Sequence, residues 1–168
     1  MRKDIAPSRA CSTSERTRIA ANEGLPAVDA RARCEEVFQP YHQRIRDELD
    51  ARRARPRALV ALHSFTPVYL GERRPWHVGV LYGRDARLGR LMLEALRRDP
   101  TLVVGDNQPY AVSDATDYTL VVHGEQRRIP HVELEVRQDL LACDADVEAW
   151  ADRLGRGLEE AAPQLFPR

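Results

Sequence analysis

Short apolar runs alternate along the chain with longer amphipathic stretches, and this alternation is the feature that most restricts the fold. An apolar run between turn-forming residues is typical of a buried strand, whereas apolar residues that recur every three or four positions indicate a helix. The pattern predicts strands over residues 58–62, 76–82, 101–104 and 131–137, and helices over residues 27–55, 86–98 and from 145 onwards. Strands that alternate with helices favour an α/β fold. We predict a three-layer sandwich in which helices flank a mixed, mostly parallel central sheet.

The N-terminal residues do not share this pattern. Residues 1–24 are rich in Ser, Thr, Arg and Ala and show no hydrophobic periodicity, so we predict an extended or flexible arm there. The remaining residues, 25–168, are predicted to form one α/β domain, because 168 residues suffice for one domain. Pro40 has no backbone N–H, so it should kink the helix over residues 27–55 or split it in two.

The charge balance excludes two classes of partner. Lys and Arg number 26 and Asp and Glu number 26, so the chain lacks the basic surface of a nucleic-acid-binding or polybasic membrane-surface protein. No apolar run approaches the roughly 18 residues of a membrane-spanning helix, and the N-terminus does not resemble a secretory signal. Cys11, Cys34 and Cys143 are odd in number and widely spaced. We therefore predict inert thiols in a reducing, cytoplasmic compartment.

His63 comes directly after the predicted strand at residues 58–62. Ligands of open α/β sheets bind at the carboxyl ends of the strands, so this position suits a functional histidine. It equally suits a histidine that is hydrogen-bonded at a strand end, and its position leaves both interpretations open.

Glu133, Glu135 and Arg137 alternate along the predicted strand 131–137, so the three side chains should project from the same face of the sheet. Burial of two carboxylates and a guanidinium carries a large desolvation cost. A functional role would explain why this face carries them. The alternative is a solvent-exposed edge strand, where the same charged side chains remain hydrated and carry no desolvation cost.

Other parts of the sequence carry weaker signals. The loop over residues 105–110 offers Asn107 and Tyr110 for substrate contacts, or it simply makes a turn. The patterns HExxH and GxSxG, the Walker loop and the glycine-rich dinucleotide motif are all absent from the sequence. Lys3 is the only lysine among the 26 basic residues. The arginine excess is typical of a GC-rich genome, although arginine also binds carboxylates in a bidentate manner.

Four segments together resemble the N-formylglutamate amidohydrolase family, and the resemblance extends from about Ser14 to Leu158. They are HSFTPVYLGERRPWHVGVLYGRDARL, VVGDNQPY, DYTLVVHGE and HVELEVRQDLL. The resemblance implies a zinc carboxypeptidase-like fold. It also implies zinc-dependent hydrolysis of N-formyl-L-glutamate or a related N-acyl amino acid, a small-molecule substrate, and a place in amino-acid (histidine) degradation.

The resemblance also implies roles for single residues. His63 matches the metal-binding histidine of the family, Glu135 matches the general acid/base, and Arg137 matches the arginine that follows it. The implied substrate-binding residues are Arg137, Asn107, Tyr110, Arg74 and Arg84, with one of the arginines holding the substrate carboxylate.

The sequence departs from the family pattern upstream of His63, where the family carries its first strand and further zinc ligands. His42, on a predicted helix, is the only earlier histidine. We therefore expect a chain that is truncated relative to the family, with an incomplete zinc site and an exposed sheet edge that promotes self-association. The alternative is a catalytically inactive binding or remnant domain. A third interpretation is a metal-free hydrolase that uses Ser64 and a histidine.

Overall fold

The computed structural model describes residues 13–14, 17–114 and 117–167. The chain forms two compact units, with the boundary between Ala54 and Arg55. Much of the predicted arm over residues 1–24 lies outside the described residues, as does Cys11. Of that arm, strands β1 (Thr13–Ser14) and β2 (Thr17–Arg18) are described as a short antiparallel pair, and a 3₁₀ turn follows at Ala20–Asn22. The predicted boundary between residues 24 and 25 stays a prediction.

The N-terminal unit contains the helical stretch that the sequence predicts, interrupted before Pro40. Helix α1 (Ala27–Arg33) passes through a π-helical turn (Cys34–Phe38) into helix α2 (Gln39–Ala51). The N–H of Gln39 donates to the carbonyl of Cys34, five residues back. Because Pro40 has no N–H to donate, the regular hydrogen-bond ladder cannot run through this point.

The C-terminal unit is built on a four-stranded sheet. Its strands are β3 (Leu59–Phe65), β6 (Val78–Leu81), β7 (Val104–Asp106) and β8 (His131–Arg137), in the order β3-β8-β6-β7. Strand β8 pairs parallel with β3 and antiparallel with β6, and β6 pairs parallel with β7. A small hairpin, β4 (Val68–Tyr69) and β5 (Glu72–Arg73), follows β3. The predicted α/β fold with a mixed, mostly parallel sheet is confirmed.

Two helices cover one face of this sheet. Helices α3 (Arg87–Arg97) and α4 (Asp144–Leu165) pack against each other, and α3 also packs on β6, β7 and β8. The hydrophobic core lies between the helices and the sheet and includes Val132, Leu134 and Val136 of β8, Leu88 and Met92 of α3, and Trp150 and Leu154 of α4. Because side chains alternate along a strand, these residues leave Glu133 and Glu135 of β8 on the opposite face.

The opposite face of the sheet is covered by a π-helical segment, Thr119–Glu125, which packs on β3 and β8. The sequence leaves this segment unassigned, because neither the strand nor the α-helix period fits it. Its Leu120 and Val121 side chains are buried. A second layer therefore exists on the side where the carboxylates of β8 lie.

Three details differ from the predicted elements. Strand β3 extends to Phe65, so His63 lies within the strand and not after it. The strand predicted at residues 101–104 begins at Val104, because Thr101 and Leu102 donate hydrogen bonds to Asp99 in a turn. Strand β8 is central, so the edge-strand interpretation of Glu133 and Glu135 is wrong. None of the helices in the described ranges is long and apolar enough to cross a membrane.

Candidate active site

A cavity of about 610 Å³ opens on the sheet face that carries the π-helical segment. Its floor comes from β3 and β8, and its wall comes from residues 110–113 and 117–120. The lining residues that carry polar groups are His63, Tyr110, Ser113, Asp117, Tyr118, Thr119, Glu133 and Glu135.

The floor of the cavity brings one imidazole and two carboxylates together. His63 and Glu135 are direct partners in the β3–β8 pairing, and Glu133 lies two residues before Glu135 on the same face. One donor atom from each of the three side chains can be chosen so that all lie within 4.8 Å of one another. The side chain of His63 is exposed, whereas Glu133 and Glu135 are 9% and 5% exposed. Two buried carboxylates thus lie beside an imidazole that reaches solvent.

The two carboxylates strongly affect each other. Burial, followed by the negative charges of Glu135 and Asp117 and a hydrogen bond with Glu135, raises the pKa of Glu133 to about 8. Like charges in a buried site cannot both be ionised without a compensating cation, so a proton is retained in the pair near neutral pH.

This donor set fits a divalent metal ion. Imidazole nitrogen and carboxylate oxygen are both ordinary zinc ligands. A cation beside Glu133 would also offset the repulsion that raises the pKa of its carboxyl. The residues that could hold a metal are therefore His63, Glu133 and Glu135. From the sequence, a metal-binding role is expected for His63 alone.

Arg74 is buried beside the cavity wall and stacks on aromatic rings. Its guanidinium carbon lies 4.6 Å from the ring centroid of Tyr69, 5.0 Å from that of Tyr110 and 5.7 Å from that of Phe65. The guanidinium also donates to the carbonyl and hydroxyl of Thr66. The side chain is 7% exposed. Arg74 thus links the end of β3 to Tyr110, which lines the cavity.

The other two predicted arginines also have protein partners. The guanidinium of Arg84 is paired with Asp114, which lowers the pKa of that carboxyl. Arg137 donates through Nη1 to the carbonyls of Arg74, Pro75 and Trp76, and through Nε to Asp139. Neither Arg84 nor Arg137 lines the cavity. A role in holding a substrate carboxylate stays a prediction for all three arginines.

The predicted loop residues fall into two places. Asn107 turns away from the cavity to the sheet, where its Oδ1 accepts a hydrogen bond from Tyr82 N–H and its own N–H donates to Val80. Tyr110 lines the cavity. Of the two residues predicted to contact substrate, Tyr110 thus lines the same cavity as His63 and Glu135. The side chain of Asn107 is instead hydrogen-bonded to the backbone of Tyr82.

The sequence patterns do not single out Asp117 and Tyr118, although both line the cavity. The Asp117 carboxylate accepts a hydrogen bond of 2.7 Å from Ser113 N–H, and Asp117 N–H donates to the Ser113 carbonyl. These two bonds tie Asp117 to Ser113. The signal available in the sequence was the acidic–aromatic pair at the start of an unassigned segment, within one of the family-like motifs.

Comparison with known proteins identifies the family. The family model described as N-formylglutamate amidohydrolase matches residues 4–142. The crystal structure of gene product Atu2144 from Agrobacterium tumefaciens superposes with a TM-score of 0.79 and 32% sequence identity. The alignment covers 92% of this chain and 64% of that protein, so this chain spans less than two thirds of its length. No curated protein matches the chain. On the family match and this structural similarity, the chain belongs to the N-formylglutamate amidohydrolase family.

Proposed function

We propose that this chain hydrolyses the amide bond of N-formyl-L-glutamate or a related N-acyl amino acid in a zinc-dependent reaction, giving a carboxylate and a free amino acid. The observation that carries the proposal is the cluster of His63, Glu133 and Glu135 on the floor of a cavity, in a chain of the amidohydrolase family. Imidazole and paired carboxylates supply the two needs of amide hydrolysis, a metal site and a proton acceptor.

His63 and Glu133 are the residues that would hold the zinc ion, with Glu135 adjacent to both. When bound there, zinc supplies a water of lowered pKa and polarises the scissile carbonyl. Glu133 also repels a second negative charge on Glu135. This repulsion favours proton uptake by the pair as a whole.

Glu135 would act as the general base and then as the general acid. Its carboxylate accepts a proton from the attacking water and delivers it to the nitrogen of the departing amine. One water is consumed, the C–N bond breaks, and the acyl carbon leaves as a carboxylic acid.

The remaining parts of the proposal follow from the family and the composition. We propose a small-molecule substrate, a place in amino-acid (histidine) degradation and a cytoplasmic location, the last supported by three widely spaced cysteines. Of these, Cys34 and Cys143 are free thiols in the described residues.

Self-association through the sheet edge is a further part of the proposal. In the described part of the chain, β3 is an outer strand of the sheet, and its Leu62 side chain is 64% exposed. Uncharged outer strands pair readily with other chains. Sedimentation velocity of the natural chain and of Leu62→Lys measures self-association. An oligomer of the natural chain that is lost in the variant supports self-association through β3. If both chains are monomeric, self-association is rejected.

The alternative is a catalytically inactive family member that serves as a binding or remnant domain. It is favoured by one observation, namely that His63 is the one histidine among the described residues that lines the cavity. A catalytic zinc site usually has three protein ligands, whereas His63 and Glu133 supply two.

The test is zinc content together with formate release. The purified chain is dialysed against zinc, its bound metal is measured by emission spectrometry, and formate is assayed with N-formyl-L-glutamate and neutral N-formyl amino acids. We expect about one zinc per chain and turnover of at least one substrate. A chain without stoichiometric zinc and without turnover is the inactive domain. Retained activity in Ser64→Ala separates this mechanism from one that uses the serine.

A further inference from the structure

The side chain of Arg74 reaches the cavity through the ring of Tyr110. Arg74 does not itself line the cavity, whereas Tyr110 does. The guanidinium carbon of Arg74 lies 5.0 Å from the ring centroid of Tyr110. The face of an aromatic ring attracts a cation, and the attraction is stronger where the cation is desolvated, as Arg74 is at 7% exposure. The contact therefore fixes one face of the Tyr110 ring.

The backbone that leads to Tyr110 lies directly on the sheet beside Glu135. A Cβ added at Gly79 would lie 2.2 Å from the carbonyl oxygen of Gln108, and one added at Gly105 would lie 2.7 Å from the same atom. Gly79 of β6 is the strand partner of Glu135, and directly paired residues of two strands project from the same face of a sheet. Neighbouring strands are about 5 Å apart. The loop before Tyr110 thus lies next to Glu135 on the cavity face.

Arg137 connects the strand of Glu135 with the backbone of Arg74. It follows Glu135 by two residues on β8. Its Nη1 donates to the carbonyl oxygens of Arg74, Pro75 and Trp76, at 3.2, 3.4 and 3.3 Å. The strand that carries Glu135 therefore also holds the backbone that carries Arg74.

The guanidinium of Arg74 is also held at the end of β3. Its Nη1 donates to the carbonyl oxygen and the hydroxyl of Thr66, at 3.3 and 3.1 Å. The rings of Tyr69 and Phe65 lie 4.6 and 5.7 Å from its central carbon. Because a guanidinium is planar and its donors have a fixed geometry, these contacts set the orientation of the group that stacks on Tyr110.

We propose that Arg74 is a positioning residue, which holds the ring of Tyr110 in the cavity wall beside Glu135, and that Tyr110 makes the contact with the substrate. Arg137 supports the same arrangement through the backbone of residues 74–76. Arg74 then acts on the substrate through Tyr110 and not by pairing with a substrate carboxylate. This inference rests on the proposed amide hydrolysis and assigns positioning residues to the same site.

A double-mutant cycle separates positioning from direct substrate binding. The parameters kcat and KM are measured for the zinc-loaded natural chain, Arg74→Met, Tyr110→Ala and the double variant, with the N-formyl amino acid that is hydrolysed fastest. We expect Arg74→Met to lower kcat/KM about tenfold, because a displaced wall residue positions the substrate less well. In the Tyr110→Ala background the same change should cause no further loss. A loss that persists without Tyr110, or no loss in the natural background, overturns the inference.

Arg73→Met is the matched control, because Arg73 is adjacent in sequence and exposed. It should leave kcat and KM within about twofold of the natural chain. A loss in this control as large as that in Arg74→Met would show that the effect does not come from the contact with Tyr110, and it would overturn the inference.

Fluorine NMR tests the positioning without turnover, so it separates this inference from the proposed function. The chain is labelled with 3-fluorotyrosine, and the signal of Tyr110 is the one that is lost in Tyr110→Phe. We expect this signal to shift in Arg74→Met and to stay in Arg73→Met. An unshifted signal in Arg74→Met overturns the inference even if formate is released.

If no formyl compound is hydrolysed, amide hydrolysis is rejected, and L-glutamate is then titrated into the labelled, zinc-loaded natural chain. A change in the Tyr110 signal on addition of L-glutamate supports the contact between Tyr110 and the bound molecule. No change in that signal overturns the inference.

Discussion

His63 of β3 and Glu135 of β8 are direct partners in a parallel strand pair, and Gly79 of β6 lies on the other side of Glu135. The pairing places an exposed imidazole next to a buried carboxylate. Since both side chains belong to strands of one sheet, their separation is fixed by backbone hydrogen bonds and not by a flexible loop.

Substitution of these two partners should separate metal binding from catalysis. His63→Ala removes the exposed imidazole and should lower zinc affinity at least tenfold. Glu135→Gln keeps the shape of the side chain but removes the proton acceptor, so kcat should fall by about 10²–10⁴-fold while zinc is retained. Zinc titration and formate release on both variants measure this; loss of zinc in Glu135→Gln with intact zinc in His63→Ala would contradict the assignment.

The metal-free chain should lose stability as the pH rises from about 5 to 8. The pKa of Glu133 is raised from 4.5 to about 8 in the folded chain, so the folded state binds more protons than the unfolded state within this range. The protonated Glu133 carboxyl therefore contributes its full stability below its pKa in the unfolded chain. This stability is lost as the pH rises through its pKa in the folded chain. We expect a decrease of about 3 kcal/mol in the free energy of unfolding, measured by urea denaturation.

Glu133→Gln is the control for this pH dependence. The amide does not ionise, so the free energy of unfolding should change less between pH 5 and pH 8 than in the natural chain. Equal slopes in the two chains would show that Glu133 ionises normally.

Gly79→Ala should destabilise the chain and disturb the cavity wall. A Cβ at this position would lie 2.2 Å from the carbonyl oxygen of Gln108, a backbone atom that cannot move without the loop leading to Tyr110. We expect a loss of about 1–3 kcal/mol in urea denaturation. The control is Gly155→Ala in α4, where nothing lies within 4 Å of the added atom. That variant should gain about 0.5–1 kcal/mol, and equal effects of the two changes would reject the close contact.

Arg74→Gln should lower stability by removing a buried cation from three aromatic rings. A loss of about 1–3 kcal/mol in the free energy of unfolding is expected. Arg73 is adjacent in sequence and exposed, so Arg73→Gln serves as the matched control with an effect within about 0.5 kcal/mol. Thermal denaturation of both variants measures this difference in stability. Similar melting temperatures would show that the contacts of Arg74 with the aromatic rings contribute little to stability.

Features that depend on local periodicity can be predicted from the amino-acid sequence. The two-residue alternation from His131 to Arg137 predicts the bounds of β8 and the shared face of Glu133 and Glu135, both of which the structure has. The amphipathic stretch over residues 86–98 predicts α3 to within one residue at each end. Side-chain direction repeats every two residues in a strand and about every 3.6 in a helix, so one short segment contains this information.

Which of these residues come into contact depends on the tertiary structure. Whether β8 lies in the centre of the sheet, and whether β3 is its neighbour, depends on pairing between segments far apart in the chain, which local periodicity does not encode. The position of Asp117 also depends on long-range packing. Asp117 lies on the cavity wall because the segment that follows it, Thr119–Glu125, packs on β3 and β8. The same dependence holds for the contact of Arg74 with Tyr110, which comes from a distant loop, whereas Phe65 and Tyr69 lie close to Arg74 in the sequence. A side chain's type and direction are local properties, whereas its partners are set by long-range packing and hydrogen bonding.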